Sequence, residues 1–180
     1  GRLGVRRGLH PPSPHAACEN VLMPTVLIID DNPAVATALA LSLSLNELDA
    51  VHAASPQEGL AVLQSRAVDL VIQDMNFSAD TTSGAEGEEL FRAIRAEHPD
   101  LPVILLTAWT HLDTAVSLVK AGAADYLAKP WDDQRLLASV KNLLELGDAN
   151  RVLARERGQR RRSRDALLVD LDSRGLIWAD

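Results

Sequence analysis

The chain has 180 residues, of which 47% are hydrophobic and 24% charged, and its formal net charge at pH 7 is -7. This composition is typical of an ordinary soluble globular protein rather than a disordered or membrane one. No stretch approaches the roughly 20 apolar residues that a transmembrane helix needs, so we expect no membrane span. The single cysteine, Cys18, excludes an internal disulfide and favours a reducing, cytoplasmic compartment.

The charges are distributed unevenly along the chain. Residues 23–150 contain 19 acidic and 7 basic residues, whereas residues 151–164 contain seven arginines and one glutamate. The acidic part is a poor candidate for DNA binding, because contacts with phosphates require lysine and arginine. The arginine run either contacts nucleic acid or, as is commoner for a charge run, forms a solvated helix face or a linker.

Four segments follow one another in the sequence. Residues 1–22 have three prolines and no apolar period, which predicts a disordered extension. Residues 23–147 alternate five times between a short apolar run and a helical pattern. The predicted strands are 25–29, 50–53, 70–73, 102–106 and 125–127, and the predicted helices are 33–45, 56–65, 86–97, 112–121 and 131–146.

The apolar runs are nearly continuous, which indicates a parallel sheet with both faces covered by helices. Because crossovers between parallel strands are right-handed, five such units predict an α/β, doubly wound (βα)5 sandwich. The unit 23–147 is then followed by a basic linker helix at 148–165. Residues 166–180 are expected to be the start of a further region.

The predicted linker helix has few apolar residues, so it either extends the preceding helix into a dimeric coiled coil or stays mobile. A spacing of three or four residues gives a possible seam for two chains. Its members are Leu143, Leu146, Ala149 or Asn150, and Leu153.

Polar residues end three of the apolar runs. Asp30 and Asp31 follow the first run, Asp74 the third and Thr107 the fourth, and all would meet at the carboxyl edge of a parallel sheet. Three converging carboxylates repel one another unless a cation such as Mg²⁺ binds between them. Lys129, after the fifth run, could neutralise a phosphate there. The alternative is that these aspartates cap helices and form turns.

Together, the stretches IIDDN, DLVIQDMN, VILLTAW and KAGAADYLAKPW resemble the receiver domain of two-component response regulators, over roughly residues 24–147. The resemblance implies a flavodoxin-like fold with strand order 2-1-3-4-5. It also implies that Asp74 is the phosphoacceptor, and that a partner sensor histidine kinase is the phosphodonor. Such a domain is a signalling switch that phosphorylates and dephosphorylates itself, not a turnover enzyme.

The same resemblance assigns the remaining roles. Mg²⁺ would be bound by Asp74, by Asp31 directly, by Asp30 through water and by the backbone carbonyl of Asn76. Lys129 would hold the phosphoryl oxygens.

Three further residues complete the assignment by resemblance. Thr107 and Tyr126 would form a switch pair, in which the hydroxyl moves to the phosphoryl group and the ring turns inward. Pro130 would follow a cis peptide bond.

The loop after Asp74 lacks the short Pro-Gly turn of many receivers, and together with KPWDD it is similar to receivers of sigma-54-dependent, NtrC-like regulators. This implies a homodimer with a transcriptional output. DNA and sigma-54 RNA polymerase would be contacted through regions outside this chain. The alternatives are a receiver that controls an enzyme, such as a hybrid histidine kinase or a cyclic-nucleotide enzyme, and a degenerate receiver that acts as a binding module.

Overall fold

A sheet of five parallel strands forms the centre of the protein, in the order β2-β1-β3-β4-β5. It is seen in a computed structural model that describes residues 23–77, 84–108 and 112–173. The predicted doubly wound sandwich and its strand order are therefore confirmed. The strands are β1 (Thr25–Ile29), β2 (Asp49–Ala53), β3 (Leu70–Asp74), β4 (Val103–Ala108) and β5 (Asp125–Lys129).

Helices cover both faces of this sheet, as the continuous apolar strands predicted. The first and last helices pack on one face, and the other three pack on the opposite face. The helices are α1 (Pro33–Ser44), α2 (Pro56–Ser65), α3 (Ala85–Glu97), α4 (Leu112–Lys120) and α5 (Asp133–Ser173).

Successive residues of the central strands supply the two cores in turn. On β1, Val26 and Ile28 pack against α1 and α5, whereas Leu27 and Ile29 pack toward α2 and α3. All four are fully buried. This alternation explains why the strand is apolar throughout, because each of its faces meets a helix layer.

Strands β4 and β5 each run two residues further than predicted, to Ala108 and Lys129. The extension is caused by pairing, since Thr107 lies opposite Ala128 and Ala108 opposite Lys129 in the parallel ladder. Polar residues thus remain in the strands because their backbones are hydrogen-bonded there. Thr107 and Lys129 are consequently held by the sheet itself.

Helix α3 approaches the end of β3 closely at one point. A methyl group at Gly87 would lie 2.5 Å from Met75 Cα, so a side chain at this position has no room. The buried Gln73 side chain spans the same contact, where its amide nitrogen donates to the Gly87 carbonyl at 2.7 Å. The start of α3 is therefore fixed against the residues on either side of Asp74.

Helix α5 is one continuous helix of 41 residues. The predicted end of the fifth helix at residue 146 was wrong, because the helix continues through Gly147 and the basic segment to Ser173. Of the two alternatives for the linker helix, extension of the preceding helix is the one observed. Residues 1–22, which were predicted to be a disordered extension, lie outside the described residues. The same holds for 174–180, the last part of the predicted further region, and for 78–83 and Trp109. None of the helices in the described part of the chain is apolar over a length that would cross a membrane.

Candidate functional site

The predicted polar residues meet at the carboxyl edge of the sheet. Asp30 follows the last residue of β1, Asp74 is the last residue of β3, and Lys129 is the last residue of β5. These three side chains contact one another, although 99 residues separate Asp30 from Lys129. Parallel pairing produces this meeting point, because it brings the ends of β1, β3, β4 and β5 to one side.

Lys129 forms the centre of the site. Its ammonium nitrogen lies 2.9 Å from Asp30 Oδ2 and 2.9 Å from Asp74 Oδ2. The side chain of Asp30 is fully buried and that of Asp74 is 7% exposed, whereas 24% of the Lys129 side chain reaches solvent. One lysine therefore compensates two carboxylates that would otherwise be buried without a counter-charge.

Backbone amides hold the second oxygen of each carboxylate. The N–H of Asn32 donates to Asp30 Oδ1 at 2.8 Å. The N–H of Met75 donates to Asp74 Oδ1 at 2.7 Å and also to the Leu106 carbonyl at 3.0 Å. Both aspartates are thus oriented by the chain that follows them, which leaves one oxygen of each directed at Lys129.

Burial and neighbouring charges act in opposite directions on the pKa values of Asp74 and Lys129. Burial raises the pKa of the Asp74 carboxyl above its ordinary value, although the nearby Lys129 ammonium lowers it. Burial also opposes the charge on Lys129, but Asp74 and Asp30 outweigh this effect and raise the pKa of its ammonium. The charged form of Lys129 is therefore stabilised, whereas burial makes ionisation of Asp74 less favourable than in water.

A divalent cation fits this arrangement. Asp30, Asp31 and Asp74 each offer a carboxylate oxygen, and the three atoms lie within 4.8 Å of one another. Three carboxylates and one ammonium leave a formal charge of about -2, which one Mg²⁺ would neutralise. Asp31 is exposed, so the cluster opens to solvent on its side.

Asn76 lies two residues after the end of β3. Its backbone N–H donates to the Asp74 carboxylate. Its side-chain oxygen accepts from the Gly84 N–H at 3.1 Å and joins the two ends of the loop that follows β3. The amide side chain is therefore engaged in closing the loop.

Thr107 and Tyr126 lie on neighbouring strands, but their side chains are occupied elsewhere. Thr107 is fully buried, and its hydroxyl donates to the Ala108 carbonyl at 3.1 Å. The partly buried Tyr126 ring packs against the core on the α3 and α4 side, with the Arg135 guanidinium 5.8 Å from the ring centre. The Lys129–Pro130 peptide bond is cis.

Two contacts at the site were missed by the sequence reasoning. His52 on β2 places its Nε2 atom 2.8 Å from the backbone carbonyl of Asp30. Gln73 on β3 donates its side-chain amide N–H to the Gly87 carbonyl of α3. The polar Gln73 within the apolar run DLVIQD could have indicated a buried hydrogen bond. Nothing near His52 in the sequence indicates its contact, because Asp30 is 22 residues away.

The chain is similar to known proteins over this whole domain. Residues 26–141 match the family model of the response regulator receiver domain. The chain is 39% identical over 115 residues to the response regulator protein FleR of Pseudomonas aeruginosa, covering 64% of this chain and 23% of that protein. It is 34% identical over 119 residues to the DNA-binding transcriptional regulator NtrC of Salmonella typhimurium, covering 66% of this chain and 24% of NtrC.

A solved structure shows the same fold. It is the signal receiver domain of an HD domain-containing protein from Pseudomonas fluorescens, with 30% identity and a TM-score of 0.63, covering 72% of this chain and 92% of that one. The chain thus spans about a quarter of the length of its two NtrC-like relatives, and nearly all of a solved receiver. It belongs to the response regulator receiver family, and the unit built on its five-stranded sheet is the receiver domain of a two-component response regulator.

Proposed function

We propose that Asp74 is the residue that accepts the phosphoryl group. The observation that carries this proposal is the contact of Lys129 with both Asp74 and the fully buried Asp30 at 2.9 Å. A carboxylate at a strand end, beside an ammonium and two further carboxylates, has both a nucleophilic oxygen and the charges that a phosphoryl group requires. Receivers as a class are signalling switches that are phosphorylated by sensor histidine kinases.

In the proposed reaction, Asp74 Oδ2 attacks the phosphorus of a phosphohistidine. The new O–P bond forms as the P–N bond to the imidazole breaks, and the departing imidazole takes up a proton from water. Lys129 is near enough to exchange one of its carboxylate contacts for a phosphoryl oxygen. The Asp74 carboxylate, with one negative charge, becomes an acyl phosphate with about two negative charges over three terminal oxygens, which strengthens the need for Lys129.

Receivers generally bind Mg²⁺ at an acidic pocket. In this chain we assign that role to Asp30, Asp31 and Asp74, together with the carbonyl of Asn76. When bound, the metal supplies positive charge for the phosphoryl oxygens. Asp31, the exposed member of the cluster, is the ligand that solvent reaches first.

The switch is assigned to Thr107 and Tyr126. In the present structure, the Thr107 hydroxyl is bonded to the Ala108 carbonyl, so it must leave that partner to reach a phosphoryl group. Tyr126 must likewise exchange its packing beside Arg135 for a deeper position. We propose that the two movements occur together, because the residues lie on adjacent strands.

We propose a transcriptional output of the NtrC-like, sigma-54-dependent kind, which acts on DNA and RNA polymerase through regions outside this chain. The similarity to FleR and NtrC supports this output. The similarity to the receiver of an HD domain-containing protein keeps a receiver that controls an enzyme as the second candidate. A homodimer and a cytoplasmic location belong to the same proposal.

The phosphoacceptor assignment is tested by intact-mass spectrometry after incubation with acetyl phosphate and Mg²⁺. The wild-type chain should gain one phosphoryl group, and Asp74→Asn should gain none. Omitting the divalent ion should abolish the gain. The matched control is Asp69→Asn, which removes a carboxylate from the opposite end of β3 and should label normally. Equal labelling of Asp74→Asn and wild type would refute the assignment.

A further inference from the structure

Helix α5 packs against the sheet only in its first part, up to Leu144, and continues beyond the core to Ser173. Leu136, Val140 and Leu144 are spaced by four residues and are the buried contacts of this helix with the sheet. Arg151 follows seven residues after Leu144, which places it on the same side of the helix. An arginine therefore occupies the position at which an apolar residue would have continued the packed face.

Arg151 reaches back to the amino-terminal edge of the sheet. Its Nη1 atom lies 2.8 Å from Asp69 Oδ1, and its Nη2 atom lies 2.9 Å from Asp148 Oδ1. The other Asp69 oxygen accepts from the Thr25 N–H at 2.9 Å, and the Asp69 N–H donates to the Thr25 carbonyl at 2.9 Å. Asp69 is thus fixed to the first residue of β1, and Arg151 joins the helix to that fixed point.

The surroundings of this ion pair are open. A groove of about 860 Å³ lies between α5 beyond Gly147 and the segments 66–69 and 97–102, and Arg151 is one of its lining residues. The helix is therefore not packed closely along this stretch. The exposed Leu146 lies on a different side of the helix from Arg151, as its position five residues earlier requires, whereas Leu153 lines the groove together with Arg151.

We infer that the Asp69–Arg151 pair, which we call the clasp, sets the direction and rotation of α5 where it leaves the receiver domain. The clasp holds the Arg151 side toward the sheet, so that the exposed Leu146 faces away from it. Asp69 and Arg151 are positioning residues for the helix and do not touch the phosphoacceptor site. The consequence for signalling rests on the proposed function, whereas the clasp itself exists without phosphorylation.

Hydrogen exchange at the amides of residues 147–157 tests the clasp in the full chain. Asp69→Asn keeps an oxygen that can accept from Thr25 but removes the charge, and Arg151→Gln removes the other partner. Each should accelerate exchange about two- to fivefold, the range expected for an ion pair of partly exposed groups. The double variant should exchange no faster than Arg151→Gln alone, because the loss of Arg151 already removes its contact with Asp69.

The matched control is Arg155→Gln. Arg155 lies one turn further along and makes no ion pair with a residue in the described ranges, so its loss should leave exchange unchanged. Spin labels at Ser65→Cys and Ser163→Cys, in a Cys18→Ser background, should give a broader distance distribution in Arg151→Gln than in Arg155→Gln. Ser65 and Ser163 are both exposed.

Equal behaviour of the Arg151 and Arg155 variants in both measurements would overturn the clasp. Additive acceleration in the double variant would do the same, because it would show that Asp69 and Arg151 act separately. Mass labelling of Asp74 on the same variants keeps the two proposals apart. Normal labelling with altered exchange supports the clasp, and unlabelled wild type refutes the phosphoacceptor assignment whatever the exchange shows.

Discussion

Replacing Gly87 with alanine should destabilise the receiver domain, although alanine is the better helix former. A Cβ atom at this position lies 2.5 Å from Met75 Cα, 2.7 Å from its carbonyl oxygen and 2.8 Å from its carbonyl carbon. All three are backbone atoms next to Asp74, so no side-chain rotation relieves the overlap. Overpacking of this kind costs about 1–3 kcal/mol or more, and the gain in helix propensity returns up to about 1 kcal/mol. We expect a net loss of about 1–2 kcal/mol.

The free energy of unfolding, measured in urea, checks this expectation, and Gly147→Ala is its control. A Cβ atom at Gly147 meets only the Arg151 Nη2 atom, at 3.8 Å, among the described residues. The same substitution there should stabilise helix α5 by up to about 1 kcal/mol, because the helical penalty of glycine is removed without a clash. If Gly87→Ala were as stable as wild type, the close approach of α3 to β3 would be wrong.

Two more predictions concern the lysine and the long helix. Lys129→Met should lower the free energy of unfolding by about 1–3 kcal/mol, because it leaves buried carboxylate oxygens without a partner, and added Mg²⁺ should restore part of the loss. Urea unfolding with and without Mg²⁺ measures both effects, the exposed Lys120→Met is the control, and an unchanged stability would contradict the reasoning. Truncation after Gly147 should weaken dimerisation in analytical ultracentrifugation while Asp74 still labels. Equal dimer affinity of the truncated and full chains would assign any pairing to the receiver surface.

The strand positions could be predicted because the physical cause is local. A strand that is buried on both faces must be apolar at successive positions, as β1 is, and the polar residue that ends the run then marks the edge of the sheet. Asp30 and Asp74 were found in this way. The difference in burial between Asp30 and Asp31 could not be found in this way, since the sequence DD does not show that Asp30 is fully buried and that Asp31 is exposed.

The sequence left the continuity of α5 open for a different reason. Glycine lowers helix propensity by about 1 kcal/mol, which made Gly147 a plausible end. The helix passes through it because the residues on both sides are good helix formers and Arg151 is fastened to Asp69 one turn later. The proposed seam also needs a correction, because Leu143 packs against its own core. The exposed members that remain are Leu146, Ala149 or Asn150, and Leu153.

Helix α5 begins near the candidate site and is long, so a small change in its direction moves its far end by a large distance. It begins at Asp133, four residues after Lys129, and its 41 residues extend over about 60 Å. The part beyond Gly147 is about 40 Å long, so a tilt of about 5° at that point displaces the far end by about 3 Å. A small tilt at Gly147 would therefore be magnified into a displacement of several ångströms at the far end of the helix, at Ser173.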